Sequence, residues 1–165
     1  MQIFEEIYKT YQTDIFRFLM RLTGGDSQLA EELTQETFYQ AFLAFGKFRG
    51  ECQMRTWLCQ IAKNLYAKHI RNMIRQRKFT EHEPLPASGM EDDLDAREQL
   101  SCLKEAVAKL DEPARSVVQY RLYSEMSYAE IAKLLKIREN TAMVLFSRAK
   151  AKIRKMLKEE YGYEI

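Results

Sequence analysis

Between Phe48 and Lys78 the chain combines basic and aromatic side chains, a combination typical of nucleic-acid-binding proteins. A cationic track beside aromatic rings holds the phosphates of a single strand and offers its unstacked bases a surface. Asn64 lies on the basic side of this stretch and has both a donor and an acceptor, so it can read a base edge. The residues that can contact phosphates are Lys63, Arg71, Arg75, Arg77 and Lys78.

The aromatic residue Trp57 has a simpler interpretation than base stacking. Together with Leu58, Ile61 and Leu65 it fits the apolar stripe of a helix. We therefore predict that Trp57 packs in a core, and that the helix carrying it runs from about Gln53 to Arg77.

The segment from Met126 to Lys150 has the pattern of a helix, a tight turn and a second helix. Ser127 followed by Glu130 is a capping box, which predicts a helix start. The turn follows around Lys136, and the second helix runs from about Glu139 to Glu160. This pattern indicates a helix-turn-helix that binds DNA. Basic residues that can neutralise phosphates and make binding salt-dependent continue along the second helix: Arg148, Lys150, Lys152, Arg154, Lys155 and Lys158.

Residues that would indicate an enzyme are scarce. The chain has no glycine-rich phosphate loop and no HExxH motif. Its two histidines, His69 and His82, and its cysteines do not make up a zinc site at standard spacing. Cys52 and Cys59 are seven residues apart, so on a continuous helix they would share a face, and we interpret them as small apolar residues facing a core. We predict no catalytic residues, no metal and no other cofactor.

The net charge of +2 conceals two basic blocks separated by an acidic one. Residues 1–78 contain 12 Lys and Arg against 8 Asp and Glu, residues 79–99 contain 1 against 7, and residues 100–165 contain 13 against 9. Two prolines and a Ser-Gly pair also fall within residues 79–96, which is typical of a linker. We predict one domain at 1–78, an acidic linker at 79–96 and a second domain at 97–165.

Helical periodicity runs through both basic blocks, and no segment has a strand pattern worth defending. The predicted fold class is therefore all-α, with two small helical domains joined by a flexible acidic linker. Asp26 or Ser27 is expected to cap the second helix. Its inward stripe is predicted to be Leu29, Leu33, Ala41, Phe42 and Phe45.

The setting predicted for the chain is the cytoplasm. No stretch approaches the roughly 20 apolar residues that span a bilayer. The N-terminal segment lacks the basic and apolar regions of a signal peptide. Three cysteines, an odd number, fit a reducing compartment. Membrane insertion is not expected.

Three segments together resemble the extracytoplasmic-function sigma factors, the small two-domain branch of the bacterial sigma factor family. They are LTGGDSQLAEELTQETFYQAF, KFRGECQMRTWLCQIAKNL and LDEPARSVVQYRLYSEMSYAEIAKLLKI. The resemblance covers nearly the whole chain in order, and the first two segments are specific to the family. It implies a promoter-specificity subunit that directs core RNA polymerase to promoters, of stress-response or envelope-response genes.

The resemblance implies that the first domain docks on the clamp helices of RNA polymerase and opens the −10 element of the promoter. The docking residues would lie on the outward side of the second helix: Glu32, Gln35, Glu36 and Tyr39. A pocket that captures a flipped −10 base, at a cost of a few kcal/mol for flipping, would be formed by Arg49, Gly50, Glu51, Cys52, Gln53, Met54 and Asn64. The strand's backbone would be held by Lys63, Lys68, Arg71 and Arg75.

The second domain would read the −35 element as duplex DNA. Its contacting residues would be Arg138, Asn140, Thr141, Met143, Val144, Ser147, Arg148 and Lys150. The acidic linker would thread toward the polymerase's RNA path. The partners implied are core RNA polymerase, promoter DNA that is duplex at −35 and melted at −10, and an anti-sigma factor.

Two features of the helix-turn-helix depart from the family pattern. The family usually has glycine where this chain has Lys136, and a lysine held at positive φ would cost on the order of 1 kcal/mol. The family also usually has polar or basic residues after the threonine, where this chain has Ala142 to Phe146. Helical phase assigns Ala142, Phe146, Ala149, Ile153 and Leu157 to the core. It leaves Met143, Val144, Ser147 and Arg148 facing the groove, with Leu145 on the flank.

Apolar side chains in a major groove can contact thymine methyls but make no bidentate contacts. We therefore predict a −35 element with a T/A-rich portion and one guanine contacted by Arg148. An alternative interpretation makes Met143, Val144 and Leu145 a surface for a protein such as an anti-sigma factor. The chain as a whole also has an alternative function, that of a transcription regulator that binds duplex DNA without polymerase.

Overall fold

The computed structural model describes residues 2–77 and 94–163, which form two compact helical units. The helices of the first unit are α1 (Gln2–Leu22), α2 (Ser27–Ala44) and α3 (Met54–Arg77), with a 3-10 turn at Phe45–Lys47. The helices of the second unit are α4 (Leu94–Ala108), α5 (Ala114–Val118), which continues as a π-helical segment at Gln119–Tyr123, α6 (Tyr128–Leu135) and α7 (Glu139–Tyr161).

The described residues contain no strand, and the predicted all-α class is confirmed. Residues 79–93 of the predicted linker lie outside the described part of the chain. Residues 94–96, also assigned to the linker, form the first turn of α4. None of the helices described is both long and apolar enough to cross a bilayer.

The first unit is a three-helix arrangement in which each helix packs on the other two. Helix α1 ends because Gly24 and Gly25 adopt φ values of 70° and 92°, which only glycine adopts without strain. Asp26 then caps α2, since its side chain accepts a hydrogen bond from the Leu29 backbone N–H at 3.1 Å. The core of the unit is formed by Ile15, Phe18, Leu19, Leu22, Leu58 and Cys59.

The inward face of α2 differs from the predicted stripe. Phe42 was predicted to face inward but is 48% exposed, and its ring meets the edge of Phe4 at a centroid distance of 5.2 Å. Thr37, by contrast, is completely buried because its hydroxyl donates to the Leu33 carbonyl at 2.6 Å. A hydroxyl satisfied within its own helix can enter a core. The residues buried along α2 are Ala30, Leu33, Thr34, Thr37, Phe38 and Ala41.

Tyr66 of α3 makes the stability of the protein sensitive to high pH. Burial raises the pKa of this phenol from 10.0 to about 12, and the residue is only 7% exposed. Because the pKa is higher in the folded state, the stabilisation is complete below about pH 10 and is lost as the pH rises toward about 12. We expect the Tyr66-dependent part of the unfolding free energy to fall by roughly 2.7 kcal/mol over that range.

Denaturant unfolding at a series of pH values tests this expectation. Tyr66→Phe should flatten the alkaline decline, whereas Tyr39→Phe, at an exposed position of α2, should leave it as in the natural sequence. An alkaline decline of the same steepness in the Tyr66→Phe variant would rule out Tyr66 as its source.

The second unit is built around the long helix α7, which packs against α4, α5 and α6. Its buried stripe is formed by Ala142, Ala149, Ile153 and Leu157, as predicted. Phe146, also predicted to be buried, is only partly so, and its ring contacts Tyr128 at a centroid distance of 6.1 Å. The far end of α7 is tied to α4 by an ion pair between Lys109 and Glu160 and a hydrogen bond from Tyr161 to Glu105.

The helix-turn-helix is defined at both ends of α6. Ser127 and Glu130 form the predicted capping box, with each side chain bonded to the other residue's backbone N–H. At the other end Lys136 adopts the left-handed conformation, with φ 57° and ψ 45°. There its N–H and that of Ile137 both donate to the Ala132 carbonyl, which closes the turn.

Substituting Lys136 by glycine should stabilise the second unit. A side chain at this left-handed position costs about 1–2 kcal/mol, part of which glycine loses again through its greater freedom in the unfolded chain. We expect Lys136→Gly to raise the free energy of unfolding by about 1 kcal/mol in denaturant titrations. Lys136→Ala removes the same charge but keeps Cβ, so it should give no such gain. Equal stabilisation by both variants would mean that the charge matters and the backbone does not.

Candidate nucleic-acid and partner interfaces

The outer side of α3 carries an amide and three cations on one face. Asn64, Lys68, Arg71 and Arg75 follow one another at spacings of four, three and four residues, so they lie in one row along the helix. All four are exposed. The side of α3 that packs inward carries Leu58, Cys59, Ala62 and Tyr66. We call the exposed row the basic face.

No ion pair holds these three cations to the rest of the described chain. Cations that repel one another on one face cost the protein free energy unless an anion neutralises them. The phosphates of a nucleic acid would supply that neutralisation. Lys63, also predicted to contact DNA, directly precedes Asn64 in the chain and is half-buried.

A short loop leads into the basic face. Arg49, Gly50, Glu51 and Gln53 are exposed, while Cys52 and Met54 are half-buried. Gly50 has φ 72°, and a side chain there would be strained although nothing lies within 4 Å of a Cβ. Helix α3 begins directly after the loop, with the Trp57 N–H donating to the Gln53 carbonyl at 3.1 Å.

The prediction that Trp57 belongs to a core stripe is wrong in part. Trp57 is half-buried, and its ring lies 4.9 Å from that of Phe48 at an interplanar angle of 40°. It sits two turns before Asn64, which places it on the same side of α3 as the basic face. Leu58 is fully buried, whereas Ile61 and Leu65 are half-buried. In the sequence, the seven-residue spacing between Trp57 and Asn64 indicates that the two residues lie on the same side of a helix.

The start of α3 contacts α1 through a partly exposed ion pair. Arg55 forms an ion pair with Asp14, with Nε and Oδ2 3.7 Å apart and both side chains partly exposed. Cys52 and Cys59 were predicted to face a core, but Cys52 precedes α3, which begins at Met54, and is only half-buried. Cys59 is buried, as predicted for a small core residue.

A second candidate surface lies on the outward side of α2. Glu32, Gln35, Glu36 and Tyr39 are all exposed, and Tyr39 is 57% exposed. The Gln40 amide donates to the Glu36 carboxylate at 2.9 Å, which orients that carboxylate along the helix. Leu43, one turn after Tyr39, is 60% exposed, and reasoning from the sequence missed it. We call the exposed residues Glu32, Gln35, Glu36, Tyr39 and Leu43 the acidic–apolar face of α2.

The third candidate surface is the first half of α7. The eight residues expected to contact duplex DNA are all exposed: Arg138, Asn140, Thr141, Met143, Val144, Ser147, Arg148 and Lys150. Arg138 and Arg148 form no ion pair with the described part of the chain. Their guanidinium groups are therefore available for phosphates or for the paired acceptors of a guanine.

Aromatic and cationic side chains contact one another beside the first half of α7. The Arg121 guanidinium lies 4.4 Å from the centre of the Tyr128 ring, and it also donates to the Met126 carbonyl at 2.8 Å. Tyr128 in turn contacts Phe146 from below α7. The ammonium group of Lys150 lies 5.8 Å from the Phe146 ring centre. Of these contacts, the one between Tyr128 and Phe146 joins α6 to α7.

The thiols do not form a reactive centre in the described residues. Cys102 is buried on α4, and burial raises the pKa of its thiol, assisted by the nearby Glu105 and Glu98. A raised pKa keeps the thiol protonated and poorly nucleophilic. Among residues 2–77 and 94–163 no group of three or more His, Cys, Asp or Glu side chains could hold a metal ion.

Comparison with known proteins identifies both units separately. Residues 7–77 match sigma-70 region 2, and residues 100–153 match sigma-70 region 4. The match to region 2 contains the acidic–apolar face and the basic face, and the match to region 4 contains the helix-turn-helix.

Relatives with similar sequences span both units. The RNA polymerase sigma factor YlaC of Bacillus subtilis is 31% identical over 79% of this chain and 78% of its own length. The ECF RNA polymerase sigma factor SigC of Mycobacterium tuberculosis is 34% identical over 78% of this chain and 69% of its own length. The fold is similar to that of the sigma factor RpoE of Bartonella quintana, solved with the anti-sigma factor NepR. That likeness has a TM-score of 0.67 over 97% of this chain and 99% of the other, at 19% identity.

Proposed function

Because this chain belongs to the extracytoplasmic-function branch of the sigma factor family, we propose that it directs core RNA polymerase to specific promoters and starts transcription there. The observation that carries the proposal is the first unit, which exposes two different surfaces on two helices. A single domain can thereby hold the polymerase through α2 and a DNA strand through α3.

Docking on core polymerase is assigned to the acidic–apolar face of α2. Glu32 and Glu36 supply charge, whereas Tyr39 and Leu43 supply exposed apolar area. Interfaces are commonly built from an apolar centre with charged groups at the rim. A partner with basic groups around an apolar patch would fit this surface.

Capture of the melted −10 strand is assigned to the loop Arg49–Met54 together with Asn64. Asn64 is exposed and can both donate to and accept from the edge of a flipped base. The backbone of the strand would follow Lys68, Arg71 and Arg75 along α3, with Lys63 at the flank. The adjoining pair of Phe48 and Trp57 supports the loop from one side.

Recognition of the −35 element is assigned to the first half of α7. The capping box begins α6, and the left-handed Lys136 ends it at the short turn that leads into α7. The exposed residues from Arg138 to Lys150 then face a major groove, as in other proteins with this motif. The acidic linker would run toward the RNA path of the polymerase.

The remaining features of the proposal follow from this role. The protein has no chemistry of its own and acts without a cofactor, since the polymerase makes the RNA. It works in the cytoplasm, where promoters and polymerase are found. An anti-sigma factor would regulate it, because solved proteins of similar fold were obtained with such partners.

A binding experiment separates this function from that of a free-standing regulator. We expect duplex promoter DNA to be retarded in gels by this protein only when core polymerase is present. A regulator has no use for a first unit with a polymerase-facing surface and would bind the duplex alone. Tight, sequence-specific binding to duplex DNA without polymerase would contradict the proposal.

A further inference from the structure

Two apolar side chains, Met143 and Val144, are exposed where α7 is expected to contact DNA. Met143 and Val144 are each 46% exposed. Their immediate neighbours are accounted for by packing. Ala142 is fully buried, Leu145 is half-buried, and Phe146, the next residue, packs against Tyr128. The fold therefore does not require Met143 and Val144 to be apolar, since the buried stripe of α7 is complete without them.

The charge around this pair favours a nucleic acid as its partner. From Asn140 to Lys158 the chain has six basic residues and no acidic one. Arg138 and Arg148 are exposed on either side of the pair and are not ion-paired within the described residues. A protein that covered Met143 and Val144 would have to neutralise these cations as well, whereas duplex DNA brings phosphates on both sides of its groove.

The position of the pair along α7 places it at the base edges. Helix α7 begins at Glu139, so Met143 and Val144 lie in its second turn. The first turns of a recognition helix are the part that enters the major groove. Arg148 lies one turn beyond Val144, where a guanidinium fork can span the two acceptors of a guanine.

The major groove presents one apolar feature to such side chains, the C5-methyl group of thymine. Resting on the function proposed above, we propose that Met143 and Val144 select thymine methyls in the duplex −35 element. The selection depends on the methyl and not on hydrogen bonds, because neither side chain can donate one. Specificity at these positions is therefore weaker than at a guanine read by Arg148.

Removal of single methyl groups from the promoter tests the proposal directly. A promoter used by the holoenzyme is prepared with deoxyuridine in place of each −35 thymine in turn, on either strand. Deoxyuridine keeps every hydrogen-bonding group and lacks only the methyl. We expect holoenzyme binding to weaken about fourfold at one or two positions, the change that one buried methyl corresponds to. The other thymines should be insensitive.

The variants connect that effect to the two residues. Met143→Ala and Val144→Ala should each lose the discrimination between thymine and deoxyuridine at one position. Holoenzymes containing these variants should therefore bind the two DNAs with equal affinity. Ser147→Ala, on the same exposed side of α7, should keep the discrimination even if it lowers both affinities. Retained discrimination in the two alanine variants would overturn the assignment.

Failure of methyl selection can be distinguished from failure of the proposed function. Deoxyuridine without effect at every position, at a promoter that the holoenzyme uses, would overturn methyl selection and leave the sigma function intact. In that event Met143 and Val144 would belong to a protein interface. Failure of the holoenzyme to use any promoter would overturn the proposed function itself, and the methyl selection with it.

Discussion

Glu36→Lys will weaken the binding of this protein to core RNA polymerase by about tenfold or more, which is about 1.4 kcal/mol. Glu36 belongs to the acidic–apolar face, one turn after Glu32, and is exposed. Reversing its charge brings like charges together at a basic partner, which costs more than the loss of a favourable contact. The change should not unfold α2, because the Glu36 side chain is exposed and accepts its hydrogen bond from Gln40 at the surface of the helix.

The measurement is competition for core polymerase against a labelled sigma factor. Glu31→Lys is the matched control, since Glu31 is exposed on the same helix and lies roughly 140° round the axis from Glu36, beside Gln35 at the edge of the face. It makes the same change in net charge and should bind like the natural sequence. Equal binding by all three proteins would exclude the acidic–apolar face as the docking surface, and equal loss in both variants would point to net charge alone.

The double substitution Arg71→Ala and Arg75→Ala should reduce open-complex formation strongly and change its salt dependence. Each contact to a single-stranded phosphate contributes about 0.7 to the slope of log affinity against log salt. Losing two contacts should therefore lower the slope by about 1.4. The effect on the melted strand should leave core binding unchanged, because α3 and not α2 carries these residues.

Permanganate footprinting of a promoter at several salt concentrations measures the fraction of open complex. Lys9→Ala with Arg17→Ala removes two exposed cations from α1 of the same unit and serves as the control. That pair should preserve the slope. If the two double variants shift the slope equally, the strand does not follow the basic face of α3.

Much of the fold could be predicted because local signals decided it. The double glycine after α1, the Asp26 cap of α2 and the Ser127–Glu130 capping box each act within a few residues. The exposed side of α2 followed from the helical periodicity of its apolar residues. The family pattern, read across three segments, then supplied roles that no single helix could indicate.

The misplaced residues depended on contacts between elements. Phe42 was predicted to face inward, but it is 48% exposed and its ring contacts Phe4 of α1, whereas Thr37, whose hydroxyl donates within α2, is buried. Trp57 looked like a core residue, but Phe48 covers it from outside the helical core. Periodicity along one helix carries no information about a ring supplied by another segment.

At Lys136 the backbone conformation follows the family pattern although the residue itself departs from it. A family pattern with glycine predicted a left-handed turn, and the chain adopts it with φ 57° in spite of the lysine. Tertiary packing of α6 on α7 therefore outweighs a local cost of about 1 kcal/mol. The consequence is a position where a single substitution should stabilise the protein without touching any surface assigned to a partner.

The most direct measurement is transcription from a genomic promoter library by core RNA polymerase, with and without this protein. We expect the protein to add start sites that share two sequence elements at −35 and −10, with a fixed separation between them. Core polymerase alone should not use those sites, and Glu36→Lys should remove them while Glu31→Lys keeps them. No added initiation, with a folded protein and active polymerase, would contradict its function as a sigma factor.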